Sequence, residues 1–175
     1  MALGGSEPVD RVDESDSIVG SSTVSECVER GLIHRAVAVV IERPGGRILL
    51  QRRSTRDNWQ AGMWTLSCTG HVRKGETYEA AANRELMEEL GIAARLVFLK
   101  KYLLPPIVEG SRTEHEWVGL FAGASGAEVR IDPVELDSVR EFTLRELRSP
   151  MDAVPMTPDA VMLLREYHKL ARSTG

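Results

Sequence analysis

GHVRKGETYEAAANRELMEELGI, residues 70–92, is the most informative stretch of this 175-residue sequence. Gly75 stops the segment before it, and Thr77 carries a side-chain oxygen that can cap the start of a helix. The helix is predicted to continue to Leu90, because Gly91 then provides a typical C-terminal stop. The stretch therefore predicts one long helix near the middle of the chain.

Three glutamates of this helix share one face. At 3.6 residues per turn, Glu85, Glu88 and Glu89 fall within an arc of about 100°. Like charges at these spacings destabilise a helix by roughly a few tenths of a kcal/mol per pair unless a cation neutralises them. Oxygen-rich ligand sets suit Mg²⁺ or Mn²⁺, and magnesium sites commonly combine carboxylates with phosphate oxygens of a substrate. The three side chains therefore form either a metal site or a solvated acidic surface, and Arg84 can steady them through an i,i+4 pair with Glu88.

The register of the whole stretch favours the metal site. It resembles, without a gap, the signature of the Nudix superfamily: Gly, five residues, Glu, seven residues, Arg-Glu, an aliphatic residue, one residue, Glu-Glu, one residue, Gly and an aliphatic residue. The nine matching positions are Gly70, Glu76, Arg84, Glu85, Leu86, Glu88, Glu89, Gly91 and Ile92. Agreement at so many specified positions is rarely accidental.

This resemblance implies a fold class and an activity. Nudix proteins are α/β/α sandwiches with a mixed β-sheet between helices, so residues 17–175 are expected to form a single domain of this α/β class. The superfamily uses divalent metal ions, here Mg²⁺ or Mn²⁺, to hydrolyse a diphosphate linkage by attack of water at phosphorus. The implied partner is therefore a small-molecule substrate, a nucleoside diphosphate derivative or another small organic diphosphate.

The resemblance also implies roles for individual residues. The metal ligands it implies are the backbone carbonyl of Gly70 and the carboxylates of Glu85, Glu88 and Glu89. Arg84 belongs to the implied catalytic set with these glutamates, and with Glu76 it would brace the loop and the helix. The general base stays open, because Nudix proteins take it from the signature helix or from a later loop. Glu85, Glu135 and Glu141 are the candidates.

A narrower similarity is to the type I isopentenyl-diphosphate isomerase branch. The matching segments are residues 33–36, 51–53, 62–65, 70–71 and 114–116. This similarity implies a second metal site, which would suit Mn²⁺, Zn²⁺ or Mg²⁺ and whose residues are His34, His71, Glu114 and Glu116. Arg52 and Arg53 would then bind the diphosphate, since guanidinium groups match phosphate oxygens in pairs. The alternative for both arginines is an ordinary surface charge at the end of a strand.

One departure from the isomerase pattern bears on the reaction. The isomerases carry a catalytic cysteine just before a Gly/Ser-His pair, here Gly70-His71; this chain has Thr69 at that position, and Cys68 stands one residue earlier. A slip of one residue on a strand places the thiol on the opposite face. Isomerisation requires proton transfer at carbon, for which threonine has no useful pKa. Hydrolysis is therefore favoured, and the alternatives are an isomerase-like enzyme and a catalytically silent binding module.

The remaining elements are predicted from short-range patterns. Apolar runs at residues 36–41 and 47–51 flank a Pro-Gly-Gly turn and predict a β-hairpin. Further strands are predicted at residues 17–20, 64–69, 96–99, 117–121 and 139–142, with a short helix from residue 143 and a last helix at residues 157–171. Residues 1–16 are small, polar and acidic, and we expect a flexible N-terminal tail there. Trp59 and Trp64 could stack on a base or pack the loop between them.

Composition limits the kinds of partner. The chain has 22 basic and 26 acidic residues and a net charge of −4, which argues against binding nucleic acid through a basic surface. Its longest apolar run, residues 36–41, is far shorter than the ~20 residues that cross a bilayer. Two cysteines show neither zinc nor disulfide spacing. We therefore expect a cytoplasmic protein without a membrane or nucleic-acid partner, and the resemblance leaves a homodimer open.

Overall fold

The computed structural model describes residues 5–56, 59–148 and 154–173. Within these ranges the elements follow in the order β1 (Pro8–Val12), β2 (Ile18–Thr23), α1 (Val24–Arg30), β3 (His34–Arg43), β4 (Arg47–Arg53), β5 (Trp64–Thr65), β6 (Cys68–His71), α2 (Tyr78–Leu90), β7 (Val97–Leu103), β8 (Ile107–Glu109), β9 (Arg112–Glu114), β10 (Glu116–Ala124), β11 (Leu136–Thr143), a 3₁₀ helix (Glu146–Arg148) and α3 (Pro158–Ser173). None of the helices in this part of the chain is long and apolar enough to cross a membrane.

The long strand β3 organises a mixed sheet. Along one edge it pairs in parallel with β10, which in turn pairs antiparallel with β7. Along its other edge it pairs antiparallel with β1, β6 and β4, one after another from its N-terminal to its C-terminal end. Strands β2 and β11 extend the sheet beyond β1 and β4, and β8 pairs with β9 in a hairpin of its own.

β4 and β6 share one edge of β3 but occupy different parts of it. β6 pairs with residues 36–39, whereas β4 pairs with residues 41–43. Between them, the buried hydroxyl of Ser67 accepts a hydrogen bond from Ile41 N at 2.7 Å and donates one to Leu49 O at 2.6 Å. Ser67 thus marks a fork in the sheet. Beyond it, β4 no longer pairs with β3 and pairs with β5 instead, so a gap opens between β4 and β6.

Side chains of β3 alternate between two cores on opposite faces of the sheet. Ala38 and Val40 belong to the core that α3 covers. Val37 and Val39 belong to the core that α2 covers. Because both faces are covered by helices, β3 reads as a nearly continuous apolar run. The predicted α/β/α sandwich with a mixed sheet between helices is confirmed.

The helix and the hairpin predicted from the sequence are confirmed. Thr77 caps α2, its hydroxyl accepting a hydrogen bond from Ala80 N, and Gly91 ends the helix with a φ of +64°. Strands β3 and β4 flank the Pro-Gly-Gly turn as expected. The single strand predicted at residues 64–69 is wrong, because the fork at Ser67 divides it into β5 and β6.

The flexible tail predicted for residues 1–16 is wrong for β1. This strand pairs with β2 and β3, and its residue Val9 is fully buried against α1. Asp16 is also buried and accepts a hydrogen bond from Arg35 Nε. Isolated valines among polar residues form no periodic pattern, so the segment carries no local signal for a strand. The first part of the predicted tail, residues 1–4, lies outside the described residues.

Ser67→Ala is expected to lower the free energy of unfolding by about 2 kcal/mol, because it leaves a buried N–H and a buried carbonyl without partners. Urea denaturation followed by circular dichroism measures this change. Ser17→Ala, at an exposed position, is the control and is expected to stay within about 0.5 kcal/mol of the parent protein. Equal stability of the two variants would contradict the role of the Ser67 hydroxyl at the fork.

Candidate functional site

A cavity of about 230 Å³ lies at the gap between β4 and β6. Residues of α2 line it on one side, and residues of α3 line it on the other. Its carboxylates are Glu7, Glu85, Glu88, Glu89, Glu114, Glu116, Glu135 and Asp159. Its basic side chains include Arg53, His71 and Arg73. The walls are thus mainly acidic, and an anionic guest requires cations to enter.

The three signature glutamates all reach this cavity. Glu85 and Glu89 are buried, while Glu88 lies exposed at the rim. Glu85 packs directly on Gly70, where a Cβ atom would lie 2.2 Å from the Glu85 carboxyl carbon. The backbone N–H of Thr69 donates to Glu89 Oε2 at 3.3 Å. The close approach of the helix to β6 therefore depends on glycine at position 70.

Arg84 ties the signature helix to the loop before it. Its guanidinium donates to both carboxylate oxygens of Glu76, at 3.0 and 2.8 Å. The same group donates to Glu85 at 2.6 Å and to Glu88 at 3.1 Å. It also donates to the carbonyl of His71 at 2.9 Å. These are the contacts that a bracing role for Glu76 and Arg84 requires.

The first strand of the fold supports the same loop from outside. Lys74 N donates to the carbonyl of Pro8 at 2.8 Å. Gly75 N donates to Asp10 Oδ2, also at 2.8 Å. β1 is therefore part of the support of the site.

Burial makes the charges of Glu85 and Glu89 unfavourable in the protein alone. It raises the pKa of Glu85 to about 7, although Arg84 beside it opposes the shift. It raises the pKa of Glu89 to about 8, and the neighbouring Glu85 adds to the effect. A divalent cation between such carboxylates would stabilise both charges, and oxygen ligands are those that Mg²⁺ and Mn²⁺ prefer. The donor set therefore fits the metal ion that the resemblance implies.

A second group of metal-ligating side chains lies on the α3 side of the sheet. His34, His71 and Glu116 can each offer one ligand atom, and these atoms lie within 4.8 Å of one another. Glu116 Oε1 is 3.4 Å from His34 Nε2 and 3.6 Å from His71 Nε2. The two imidazole rings are stacked, with 5.3 Å between their centroids. The adjacent strands β3, β6 and β10 contribute one residue each.

The two ring nitrogens of His34 have different surroundings. Nδ1 lies 3.0 Å from the carbonyl oxygen of Leu32 and donates to it, because a carbonyl can only accept. Nε2 is buried, faces Glu116 and has no hydrogen-bond partner within the described residues. A proton or a metal ion between Nε2 and the carboxylate removes this conflict. Metal-binding histidines commonly donate their second ring N–H to a carbonyl in the same way.

The other members of this group have perturbed pKa values. Burial, with His34 adding to it, lowers the pKa of His71 to about 4, so this ring is neutral and offers a lone pair. Burial acts against the charge of Glu116, but His34 and His71 lower its pKa below the usual range. Burial raises the pKa of Glu114, which also lines the cavity, to about 8. His71, Glu114 and Glu116 line the cavity, while His34 is fully buried beside Glu116. Glu114 is not among the three residues whose ligand atoms lie within 4.8 Å of one another.

Thr69 and Cys68 point to opposite faces of β6, as predicted from the one-residue slip. Thr69 lines the cavity next to His71. Cys68 is fully buried in the core under α2, and burial raises the pKa of its thiol well above the usual range. The wall at this position therefore presents a hydroxyl, and the neutral thiol lies behind it.

The structure separates the two arginines that were predicted to bind phosphate. Arg53 lines the cavity, and its Nε donates to the carbonyl of Trp59 at 3.2 Å. Arg52 lies on the other face of β4, where its Nε donates to the carbonyl of Gly62 at 3.0 Å. The prediction for Arg52 is therefore corrected: successive side chains of a strand point to opposite faces, and only one of the pair can face the gap.

The two candidate bases outside the signature helix are also separated. Glu135 lines the cavity, and burial raises its pKa. Glu141 lies further along β11 and forms ion pairs with Arg43 at 3.1 Å and Arg47 at 3.8 Å. The expectation that Glu141 approaches the metal ions is corrected, because these arginines hold it beside the β3–β4 hairpin.

Some cavity residues were not assigned to the site from the sequence. Gln51 is a buried polar residue that directly follows the apolar run at residues 48–50 of β4, which is a usable signal. Asp159 stands in the first turn of a helix, where an acidic residue is common, so its position carries no signal. Of the two tryptophans, Trp59 lines the cavity, whereas Trp64 packs edge-on against Phe142.

Comparison with known proteins identifies the family. A family model of the NUDIX domain matches residues 32–163. The chain belongs to the Nudix family. The recognition of this superfamily from residues 70–92 is thus confirmed.

The proteins similar to this chain differ in the activity that their names state. An isopentenyl-diphosphate Delta-isomerase of Serratia proteamaculans is 37% identical over 144 residues, which cover 79% of this chain and 80% of the relative. An uncharacterized Nudix hydrolase of Pseudomonas aeruginosa is 34% identical over 171 residues, which cover 95% and 96%. The crystal structure of DR0079 from Deinococcus radiodurans matches with a TM-score of 0.75 at 22% identity, covering 91% of this chain and 98% of that one. Family membership alone therefore does not select the reaction.

Gly70→Ala is expected to destabilise this Nudix domain by about 1–3 kcal/mol, because the added methyl group overlaps the Glu85 carboxyl group and forces the helix or the strand to shift. Chemical denaturation measures the change. The matched control is Gly126→Ala, where the nearest atom to a new Cβ would be Pro44 Cγ at an ordinary 3.5 Å. A Gly70→Ala variant as stable as the control would show that Glu85 does not need the close contact.

Proposed function

We propose that this Nudix protein is a metal-dependent hydrolase that cleaves a diphosphate linkage in a nucleoside diphosphate derivative or another small organic diphosphate. One observation carries the proposal: the intact signature glutamates and Thr69 line the same cavity. The cavity thus has carboxylates for divalent cations, and it has a hydroxyl where an isomerase needs a titratable group. Water is the remaining nucleophile.

The proposed metal ligands form two sets. The first contains the carboxylates of Glu85, Glu88 and Glu89 with the backbone carbonyl of Gly70. The second contains His34, His71, Glu114 and Glu116, and its support is the close grouping of the ligand atoms of His34, His71 and Glu116. Bound Mg²⁺ or Mn²⁺ supplies charge neutralisation for the diphosphate and lowers the pKa of water.

The chain's own side chains would bind the substrate and move the proton. Arg53 faces the cavity and is proposed to bind phosphate oxygens through its guanidinium group. Glu135 is the proposed general base, because its raised pKa brings it closer to the neutral range in which a base both accepts and releases a proton. Glu85 is the alternative, but its carboxylate already accepts a hydrogen bond from Arg84 at 2.6 Å.

An isopentenyl-diphosphate isomerase-like activity is the second candidate. The group formed by His34, His71 and Glu116 favours it, as do the relatives that bear this name. Thr69 and the buried Cys68 argue against it. The observation of a reaction at carbon rather than at phosphorus separates the two candidates.

A substrate screen tests the proposal. Nucleoside diphosphates, nucleotide sugars, nucleoside triphosphates and isopentenyl diphosphate are incubated with the protein and Mg²⁺ or Mn²⁺, and the products are separated chromatographically. Cleavage of a diphosphate linkage is the expected result. Formation of the allylic isomer from isopentenyl diphosphate without released phosphate would contradict hydrolysis, and the absence of any turnover would favour a silent binding module.

Glu88→Gln is expected to lower kcat on the best substrate by at least about 100-fold, because it removes an anionic oxygen at the metal ligands. The fold should be preserved, since Glu88 lies exposed at the rim of the cavity. Glu79→Gln, at an exposed position of the same helix, is the control and should retain activity. Wild-type turnover by the Glu88→Gln variant would refute the metal assignment.

Thr69→Cys tests whether the cavity supports isomerisation once a thiol replaces the hydroxyl. The new thiol would replace a hydroxyl that lines the same cavity as His71. We expect no isomerisation of isopentenyl diphosphate by the parent protein. We expect a detectable rate in the variant. Proton exchange at carbon, followed by NMR in deuterated water, measures it. Isomerisation by the parent protein itself would overturn the preference for hydrolysis.

A further inference from the structure

Asp159 contributes an unpaired acceptor to the cavity. It lies in the first turn of α3 and lines the cavity on the side opposite to the signature helix. Its Oδ1 atom is buried and has no hydrogen-bond partner among the residues that the structure describes. A buried carboxylate oxygen without a donor is unfavourable, so such a group in a native protein requires an explanation.

Burial raises the pKa of the Asp159 carboxyl group, whereas hydrogen bonds from Thr157 and from the backbone N–H of Asp159 itself lower it, and they leave Oδ1 as the oxygen without a donor. Glu116 repels its charge, and Asp159 in turn disfavours the charge of Glu114. Arg53 is the neighbouring cation that attracts it, but the Nε of Arg53 is directed to the carbonyl of Trp59. A group with an N–H or O–H that enters the cavity could donate to Asp159.

The location of Asp159 indicates which part of a substrate it would meet. The cavity runs through the fork of the sheet, from the carboxylates of α2 to the first turn of α3. A molecule whose diphosphate lies near Glu85 and Glu89 would extend its organic group toward Asp159 and Leu163. A hydrocarbon group in that place would exclude water from the carboxylate without donating a hydrogen bond.

We propose that Asp159 is a specificity-determining residue that selects diphosphates whose organic group donates a hydrogen bond, through a hydroxyl or an amine, over those with a hydrocarbon group. This inference rests on the proposed hydrolase function and narrows its substrate class. Asp159 acts on recognition alone, and the cleavage step is left to the groups near α2.

Alkyl diphosphates of three to six carbons, each ending in a methyl, a hydroxyl or an amino group, provide matched probes. The parent protein with Mg²⁺ is expected to favour one donor-bearing series over the methyl series by about 100-fold in kcat/KM, since sites built for a hydrogen bond strongly reject analogues that lack it. The hydroxyl and amino series then show which donor is preferred. Asp159→Leu should abolish this preference, mainly through KM, and Asp159→Asn should reduce it.

Two readouts distinguish recognition from a structural role. Without substrate, Asp159→Leu should raise the melting temperature, because it removes a buried oxygen without a donor and the repulsion from Glu116. The stoichiometry of Mn²⁺ bound to the free protein, measured by calorimetry, should stay unchanged in both Asp159 variants. Arg165→Leu, at an exposed position of α3, controls for adding a leucine to this helix and should alter neither quantity.

Each outcome that differs from these expectations leads to a different conclusion. Folded Asp159 variants that keep the preference for donor-bearing probes would overturn the inference, as would a fall in the melting temperature of Asp159→Leu. Loss of a bound Mn²⁺ would also overturn it, by showing that Asp159 is a metal ligand. If the parent protein hydrolyses none of the probes, the proposed hydrolase activity on this class is wrong. Dissociation constants of the same probes then still report whether Asp159 selects a donor.

Discussion

The hydroxyl of Ser67 stabilises the fork between β4 and β6, and the site depends on this fork. Backbone groups inside a sheet must be paired, and a strand that leaves its neighbour exposes an N–H and a carbonyl. Ser67 satisfies both, on Ile41 and Leu49, and so permits β4 and β6 to diverge without unpaired groups. The cavity lies in the gap that this divergence opens, and the alternation of side chains along β4 turns Arg53 rather than Arg52 toward it.

The fork also explains how so many acidic groups can be gathered in one place. Glu85 and Glu89 come from a helix on one face of the sheet, whereas Glu116 and Asp159 come from the other side. Packing against Gly70 and the hydrogen bonds of Arg84 hold the first set. Pairing of β10 with β3 holds Glu116, and the first turn of α3 holds Asp159. The two cores provide the stability that offsets the repulsion among these groups, and a bound cation, as proposed above, would reduce that repulsion.

Local patterns in the sequence were sufficient for the signature helix and the hairpin, because caps, turns and periodicity are short-range effects. They also placed Cys68 and Thr69 on opposite faces of a strand. They were insufficient where the outcome depends on long-range pairing: which of Arg52 and Arg53 faces the cavity, and whether Glu141 is held by arginines. The strand at β1 and the role of Asp159 depend on what surrounds them in the fold, which no pattern near them in the chain reveals.

The contacts between β1 and the signature loop have a practical consequence. A variant shortened to begin after Val12 would retain every residue of the Nudix signature, yet its loop would lack the hydrogen bonds to Pro8 and Asp10. A boundary taken from the family model would remove even more of the chain, since the match starts at residue 32. The segment upstream of the conserved domain should therefore be kept, and affinity tags placed at the C-terminal end.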